Sequence, residues 1–119
     1  IKENHIETDS FGAPIKIDFK YTNGKPNLIK NISFDTKNID PMDHSKLWLA
    51  NANEIRREAF KQGITKNIQL IYCPPSEDKN NINSSLMACL VESSDELINY
   101  RDKEEINHFI NNVAKVAHN

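Results

Sequence analysis

Apolar and polar side chains alternate most clearly between positions 15 and 22, where Ile, Ile, Phe and Tyr are separated by Lys, Asp and Lys. Such alternation is typical of a β-strand with one buried face. Asn23 and Gly24 follow, and this dipeptide favours a type I′ turn, in which both residues adopt positive φ. The pattern predicts strands over 14–22 and 26–34, joined as a hairpin.

A two-residue turn also sets the register of the hairpin, because the residues that flank it must pair. Three of the four resulting cross-strand pairs are apolar on the same face, which stabilises a sheet. The predicted pairs are Tyr21 with Pro26, Phe19 with Leu28, Ile17 with Lys30 and Ile15 with Ile32.

Three later segments have the spacing of helices. Asp40 can cap the first and Pro41 suits its first position, while its apolar residues recur every three or four places until Gly63. The segment 83–92 fits a helix or a strand by its period, and the leucine spacing of four favours a helix. The final helix, 103–117, carries a continuous apolar stripe behind a capping-box spacing.

The run 67–73 is almost wholly apolar, as in a strand buried on both faces, and 96–100 is a fourth strand that a right-handed crossover makes parallel to it. Residues 1–13 lack sustained periodicity and are predicted to be a flexible arm or linker. Residues 14–119 then form a single mixed α/β (α+β) domain in the order ββαβαβα. Its four-stranded mixed sheet is packed by three helices.

Composition fits one soluble domain. The chain has 119 residues, 27% of them charged, and a net charge of -2. This charge gives no general attraction to nucleic acid or an anionic membrane, and no apolar run has the length of a membrane span. We therefore expect a cytoplasmic protein. Ile1 in place of Met suggests a processed chain or a module of a longer protein.

Few residues in the sequence suggest a site for a cofactor, a phosphate group or a metal ion. The three glycines are isolated, which argues against a phosphate-binding loop, and no cofactor is predicted. The histidines lack the i,i+4 spacing of a helical metal site, so solvated or capping roles are favoured and no metal site is expected. Cys73 and Cys89 are expected to be reduced thiols, although a disulfide between them stays open. The histidines are His5, His44, His108 and His118.

Two residues are candidates for catalysis. Asp18 invites comparison with metal-dependent nucleases, which hold Mg²⁺ with carboxylates at strand ends, but no later strand carries an acid-x-lysine pair. Cys73 ends a buried strand, where open α/β sheets place ligands. The prolines that follow it remove backbone N–H groups that an oxyanion site would use. An outward strand position for Asp18 and an unreactive thiol for Cys73 are the favoured interpretations.

Four basic residues form the one local cluster of positive charge, and they are the candidate contacts for nucleic acid. Glu54 and Glu58 share their helix, so a solvated helix face with i,i+3 and i,i+4 pairs is favoured. The four are Arg56, Arg57, Lys61 and Lys66.

The stretch DFKYTNGKPNLIKNISFD, then a helix, IQLIYCPP and ELINY before a last helix, resembles the C-terminal α/β domain of uncharacterised bacterial proteins over residues 16–117. The resemblance implies an association with phages, mobile elements or defence loci. It carries no catalytic residues.

The sequence favours a non-enzymatic interaction or regulatory domain, with another protein or another domain of its own chain as partner. Self-association through an exposed edge of the hairpin strands is a further expectation. A degenerate nuclease-like domain acting on nucleic acid and a small cysteine hydrolase that uses Cys73 are the alternatives.

Overall fold

The computed structural model describes residues 1–35, 39–74 and 82–116. The predicted mixed α/β class with three helices is confirmed, and the ambiguous segment near residue 90 is a helix. In chain order the elements are β1 (Lys2–Thr8), β2 (Pro14–Asn23), β3 (Lys25–Ser33), α1 (Pro41–Lys61), β4 (Asn67–Cys73), α2 (Ser84–Glu92), β5 (Glu96–Asn99) and α3 (Lys103–Val116).

The described strands form one five-stranded sheet in the order β1-β2-β3-β4-β5. β1, β2 and β3 are antiparallel neighbours, whereas β3, β4 and β5 run parallel. The prediction of four strands and a flexible arm over 1–13 was wrong, because Lys2–Thr8 pairs with β2 along most of its length. Its buried positions hold His5 and Glu7, so β1 lacks the apolar alternation that would have revealed it.

The edges of the sheet are β1 and β5. The hairpin strands that were expected to present an edge are interior, since β1 pairs with β2 and β4 pairs with β3. β1 carries charged side chains and, at Asn4, a left-handed backbone with φ of 55°. Charges and local irregularity are common ways of protecting an edge strand from pairing with another chain.

The turn of the hairpin differs from the prediction. Thr22 pairs with Pro26 and Asn23 with Lys25, which leaves Gly24 alone at the apex with φ of 74°. Asn23 does not have the positive φ that a type I′ turn requires. The register is therefore shifted by one residue.

This shift changes the faces of β3. Phe19 pairs with Ile29 instead of Leu28. Leu28 packs with α1 and α2, whereas Ile29 packs with α3 on the other face. A slip of one residue has this effect because neighbouring side chains on a strand point to opposite faces.

Side-chain caps begin the helices where the sequence predicted them. The carboxylate of Asp40 accepts a hydrogen bond from the N–H of Asp43 at 3.4 Å, and Asn83 caps α2 in the same way. Asp102 accepts from the N–H of Glu105 at 3.1 Å. The Glu105 carboxylate instead accepts from the N–H of Asn99, so it joins α3 to the end of β5.

The sheet lies between two helical layers. Its first face packs against α1 and α2 around Trp48, Ile55, Leu70 and Leu90, all of which are buried. Its second face packs against α3 through Phe109 and its apolar neighbours. Both thiols, Cys73 and Cys89, are free in the fold. Among the described helices, none is long and apolar enough to cross a membrane.

β2 contributes to both of these cores. Ile15 and Ile17 pack on the α1 side, whereas Phe19 and Tyr21 pack on the α3 side. Residues two apart in a regular strand share a face, so β2 must turn over between Ile17 and Phe19. Asn4, with its left-handed backbone, lies at the same level of β1.

Candidate functional site

An apolar groove of about 1000 Å³ lies on the α3 side of the sheet. The sheet contributes Phe19, Ile29 and Ile71 to the lining of the groove, and α3 contributes a wall that includes Ile110 and Ala114. Ile110 is 54% exposed although it is a large apolar side chain. The groove is therefore an open apolar surface and not a part of the closed core.

The groove follows from the turnover of β2. The ladder between β2 and β3 ends at Phe19 and Ile29. Beyond this point the first half of β2 turns to the α1 side, where Ile15 and Ile17 are buried. Asn31 on β3 thus lies beyond the backbone ladder with β2, and its side chain lines the groove.

One end of the groove lies at the carboxyl ends of the parallel strands. Ser33 ends β3, Cys73 ends β4 and Tyr100 directly follows β5, and all three line the groove. Open α/β sheets bind ligands in this position. The groove therefore joins an apolar body to an end that carries hydroxyl and thiol groups.

Cys73, a candidate from the sequence, is half-buried in this groove. Its thiol contacts the carbonyl oxygen of Pro74 at 3.8 Å. The same oxygen accepts a hydrogen bond from Nε of Arg101 at 2.8 Å. Within the described ranges, no imidazole or carboxylate forms a hydrogen bond with the thiol, so the general base that a cysteine hydrolase needs has no candidate beside it.

Asp18 lies away from the groove's polar end and holds the bent hairpin together. Its Oδ2 accepts a hydrogen bond from the backbone N–H of Asn31 at 2.7 Å, where a regular ladder would offer a carbonyl of β2. Nζ of Lys30 donates to the carbonyl of Lys16 at 3.1 Å across the same gap. These two side chains replace backbone pairing where β2 leaves β3.

We expect Asp18→Ala to lower the free energy of unfolding by about 1–2 kcal/mol, because the N–H of Asn31 loses its acceptor. Asp18→Asn keeps an oxygen in place and should cost less than half as much. Urea unfolding of the two variants measures the difference. Equal losses for both would contradict this role and would point to a need for the charge itself.

The four basic residues proposed for nucleic-acid contact all have partners. Arg57 and Lys61 form i,i+3 ion pairs with glutamates on α1, as the favoured interpretation expected. Arg56 donates to the carbonyl of Glu92 at 2.7 Å and lies 3.7 Å from the carboxylate of Asp95. Lys66 is turned inward, with its side chain 14% exposed. The four basic side chains therefore form contacts within the folded domain.

Sequence reasoning missed a buried polar cluster formed by His5, Glu7 and Lys66. The carboxylate of Glu7 contacts Nε2 of His5 and Nζ of Lys66. Burial raises the pKa of Glu7, but the hydrogen bonds and charges of Lys66 and His5 outweigh it, so this pKa lies below its ordinary value of 4.5. The cluster fastens β1 to the residue that precedes β4.

The histidines are dispersed in the fold. His5 is buried, which contradicts a solvated or capping role, while His44 lies edge-on to Phe34 with ring centroids 6.0 Å apart. His108 is exposed beside Asn112, and His118 lies outside the described residues. In residues 1–35, 39–74 and 82–116, no three His, Cys, Asp or Glu side chains form a group that could hold a metal ion.

No protein family, curated protein or solved structure matches this chain. Apart from Cys73 and a few polar residues, the lining of the groove was visible in the sequence only as apolar positions, and those in the predicted strands and helices were assigned to a closed core. An apolar pattern shows which side chains avoid water, but it does not show whether a neighbouring element covers them. The α3 residue Ile110 was the available signal, because it extends the apolar stripe sideways beyond the face that meets the sheet.

Proposed function

We propose that this chain is a non-enzymatic interaction domain whose groove holds an apolar protein segment. The observation that carries the proposal is the open groove of about 1000 Å³ on the α3 side of the sheet. Monomeric proteins seldom leave a large apolar surface exposed unless it binds something. Placement in a longer bacterial or mobile-element protein, in the cytoplasm, rests on the sequence interpretation and the resemblance alone.

The lining fits an apolar segment better than a charged ligand. Glu3 is the one acidic or basic side chain among the lining residues. An apolar segment would gain about 25 cal/mol for each Å² of apolar surface that it buries. Asn31 and Ser33 offer a few polar groups at one end, which is how a mostly apolar site orients its ligand.

The arrangement of the catalytic candidates supports the same choice. The carboxylate of Asp18 accepts a hydrogen bond from the backbone N–H of Asn31, and the thiol of Cys73 contacts a carbonyl oxygen. The nuclease-like and hydrolase alternatives each need a second catalytic group beside these residues. A binding role needs only the groove.

The test is the binding of an apolar fluorescent probe such as an anilinonaphthalene sulfonate, which brightens when it leaves water. We expect Ile110→Asp to weaken binding by roughly tenfold, equivalent to about 1.4 kcal/mol, because it adds a charge to the apolar wall. The matched control is Asn111→Asp, which adds the same charge at the next residue of α3, outside the groove lining.

Both substitutions fall at exposed positions, so the fold should persist, and circular dichroism checks that it does. Probe binding that is unchanged by Ile110→Asp, or weakened equally by both variants, would show that the groove is not the binding surface. The proposed function would then be abandoned.

A further inference from the structure

The loop between β1 and β2 holds a large apolar side chain out in solvent. Phe11 is 93% exposed, more than any other large hydrophobic residue in the described ranges. Phe60 on α1 is the next, at 85%. A single exposed apolar residue is ordinary by itself, so the way in which the loop holds Phe11 decides whether it matters.

Hydrogen bonds fix this loop, which runs from Asp9 to Ala13. The carboxylate of Asp9 accepts from the N–H groups of Phe11 and Ala13, each at 2.8 Å. The Asp9 backbone is bonded to Gly12 and Ala13. The N–H of Ser10 donates to Glu54 of α1 at 3.1 Å, which fastens the loop to the helix. Phe11 is thus presented from a preorganised loop, and preorganisation lowers the entropy cost of binding.

The molecule therefore carries an apolar projection and an apolar groove, but it cannot join them itself. The loop is bonded to Glu54 on the α1 side of the sheet, whereas the groove lies on the α3 side. Contact between the two features requires two molecules. We propose that the Asp9–Ala13 loop of one copy inserts Phe11 into the groove of a second copy, an inference that rests on the proposed function of the groove.

The loop and the groove both carry little charge. Asp9 is the one charged side chain of the loop, and two N–H groups already satisfy its carboxylate. The groove contributes Glu3 as its one acidic or basic side chain. Docking through Phe11 therefore buries mostly apolar surface, while the exposed carboxylate of Glu3 has to stay in contact with water, because removing an uncompensated charge from water would be costly.

The area that the contact can bury limits the affinity of self-association. An aromatic side chain buries about 150–250 Å², whereas a stable interface buries about 800 Å² on each partner and uses about 20–30 residues a side. The groove has fifteen lining residues and the loop is short. We therefore expect an association much weaker than that of a standard-size interface. Because projection and groove are different surfaces, the contact is head-to-tail and can extend beyond a pair.

Sedimentation equilibrium at protein concentrations up to about 1 mM tests the proposal. The wild-type chain should associate, and Phe11→Ser should reduce the association at least tenfold. Phe60→Ser is the matched control, because it removes an exposed phenylalanine of α1 that belongs to neither surface. It should associate like the wild type. Ile110→Asp, in the groove, should abolish association as Phe11→Ser does.

Mixing the two defective variants makes the test directional. The Phe11→Ser chain keeps an intact groove and the Ile110→Asp chain keeps an intact loop, so their mixture should form one-to-one dimers that do not extend. A monomeric wild type, or Phe11→Ser that associates like the wild type, would overturn the proposal. Failure of the mixture to associate would also overturn it.

The probe experiment separates this inference from the function on which it rests. If Ile110→Asp weakens probe binding while Phe11→Ser leaves self-association unchanged, the groove binds a different segment and only the second-copy inference fails. If Ile110→Asp leaves probe binding unchanged, the groove itself is not a binding surface and both proposals fail.

Discussion

Glu7→Gln is expected to lower the free energy of unfolding at neutral pH by about 3–5 kcal/mol. Glu7 is 8% exposed, and its carboxylate contacts the ammonium of Lys66 at 2.5 Å as well as the His5 ring. Removal of the carboxylate charge leaves the ammonium, on a side chain that is 14% exposed, without its anion. The free-energy cost of leaving one charge buried without its partner exceeds the net stability that the intact ion pair contributes, so we expect this substitution to be strongly destabilising.

The loss should depend on pH with a definite sign. The pKa of Glu7 in the folded chain lies below the ordinary value of 4.5 because of Lys66 and His5. The stability that this group contributes is therefore fully present above about pH 4.5 and disappears as the pH falls through the lower, folded pKa. The difference between wild type and Glu7→Gln should shrink over that acidic range.

Urea unfolding between pH 7 and pH 3 measures both effects, with Glu58→Gln as the control. Glu58 pairs with Lys61 at 3.2 Å, but the Lys61 side chain is 57% exposed, and exposed pairs contribute less than about 1 kcal/mol. A loss for Glu7→Gln as small as that of the control would contradict the assignment of a buried ion cluster. So would a loss that does not change with pH.

Leu70→Ala should lower the free energy of unfolding by about 2–5 kcal/mol, whereas Ile71→Ala should cost about 1 kcal/mol. The two residues are neighbours on β4, on opposite faces. Leu70 is fully buried against the α1 layer, whereas Ile71 is half-buried and lines the open groove. A truncation beside open solvent leaves no closed cavity, so its cost is limited to the apolar surface that the side chain no longer buries.

Chemical unfolding of each variant, compared with wild type, gives both losses. The pair is its own control, because the strand, its neighbours in the sheet and the size of the truncation are nearly the same. If Ile71→Ala proved as costly as Leu70→Ala, the second face of the sheet would have to be a closed core. The groove and the function proposed for it would then lose their basis.

The elements that the sequence predicted correctly are those with a local signal. Asp40 and Pro41 mark the start of α1, and the apolar stripe marks α3. β4 was recognised from its nearly continuous apolar run, although the expectation that both faces are buried was wrong, because Ile71 and Cys73 are only half-buried and line the groove. Each of these signals depends on the residues within one element and its caps.

Two errors came from features that depend on distant residues. β1 escaped prediction because its inward positions, His5 and Glu7, are polar and are stabilised by Lys66, which is distant in the sequence. The predicted hairpin register was wrong because an Asn-Gly pair is compatible with more than one kind of turn. In the observed turn Gly24 alone stands at the apex, and in this register Ile29 packs against α3.

The groove could not be predicted, because it results from where β2 turns over. No residue type marks a reversal of face between Ile17 and Phe19, and Asp18 has the sequence context of an ordinary solvent-facing position in an alternating strand. The sequence did point to Cys73 at the end of β4, which lies at the edge of the groove. The sequence suggested the Cys73 thiol as a catalytic candidate, whereas in the structure Cys73 is one of the residues that line the groove.

The turnover of β2 also separates the loop and the groove energetically within one molecule. The half that carries the Asp9–Ala13 loop packs with α1, and the half that contributes Phe19 to the groove packs with α3. Substitutions at distant sites without shared partners have nearly additive effects on stability. Substitutions in the loop and in the groove should therefore have nearly additive effects on the stability of a single molecule, so any coupling between the two surfaces has to arise from contact between copies.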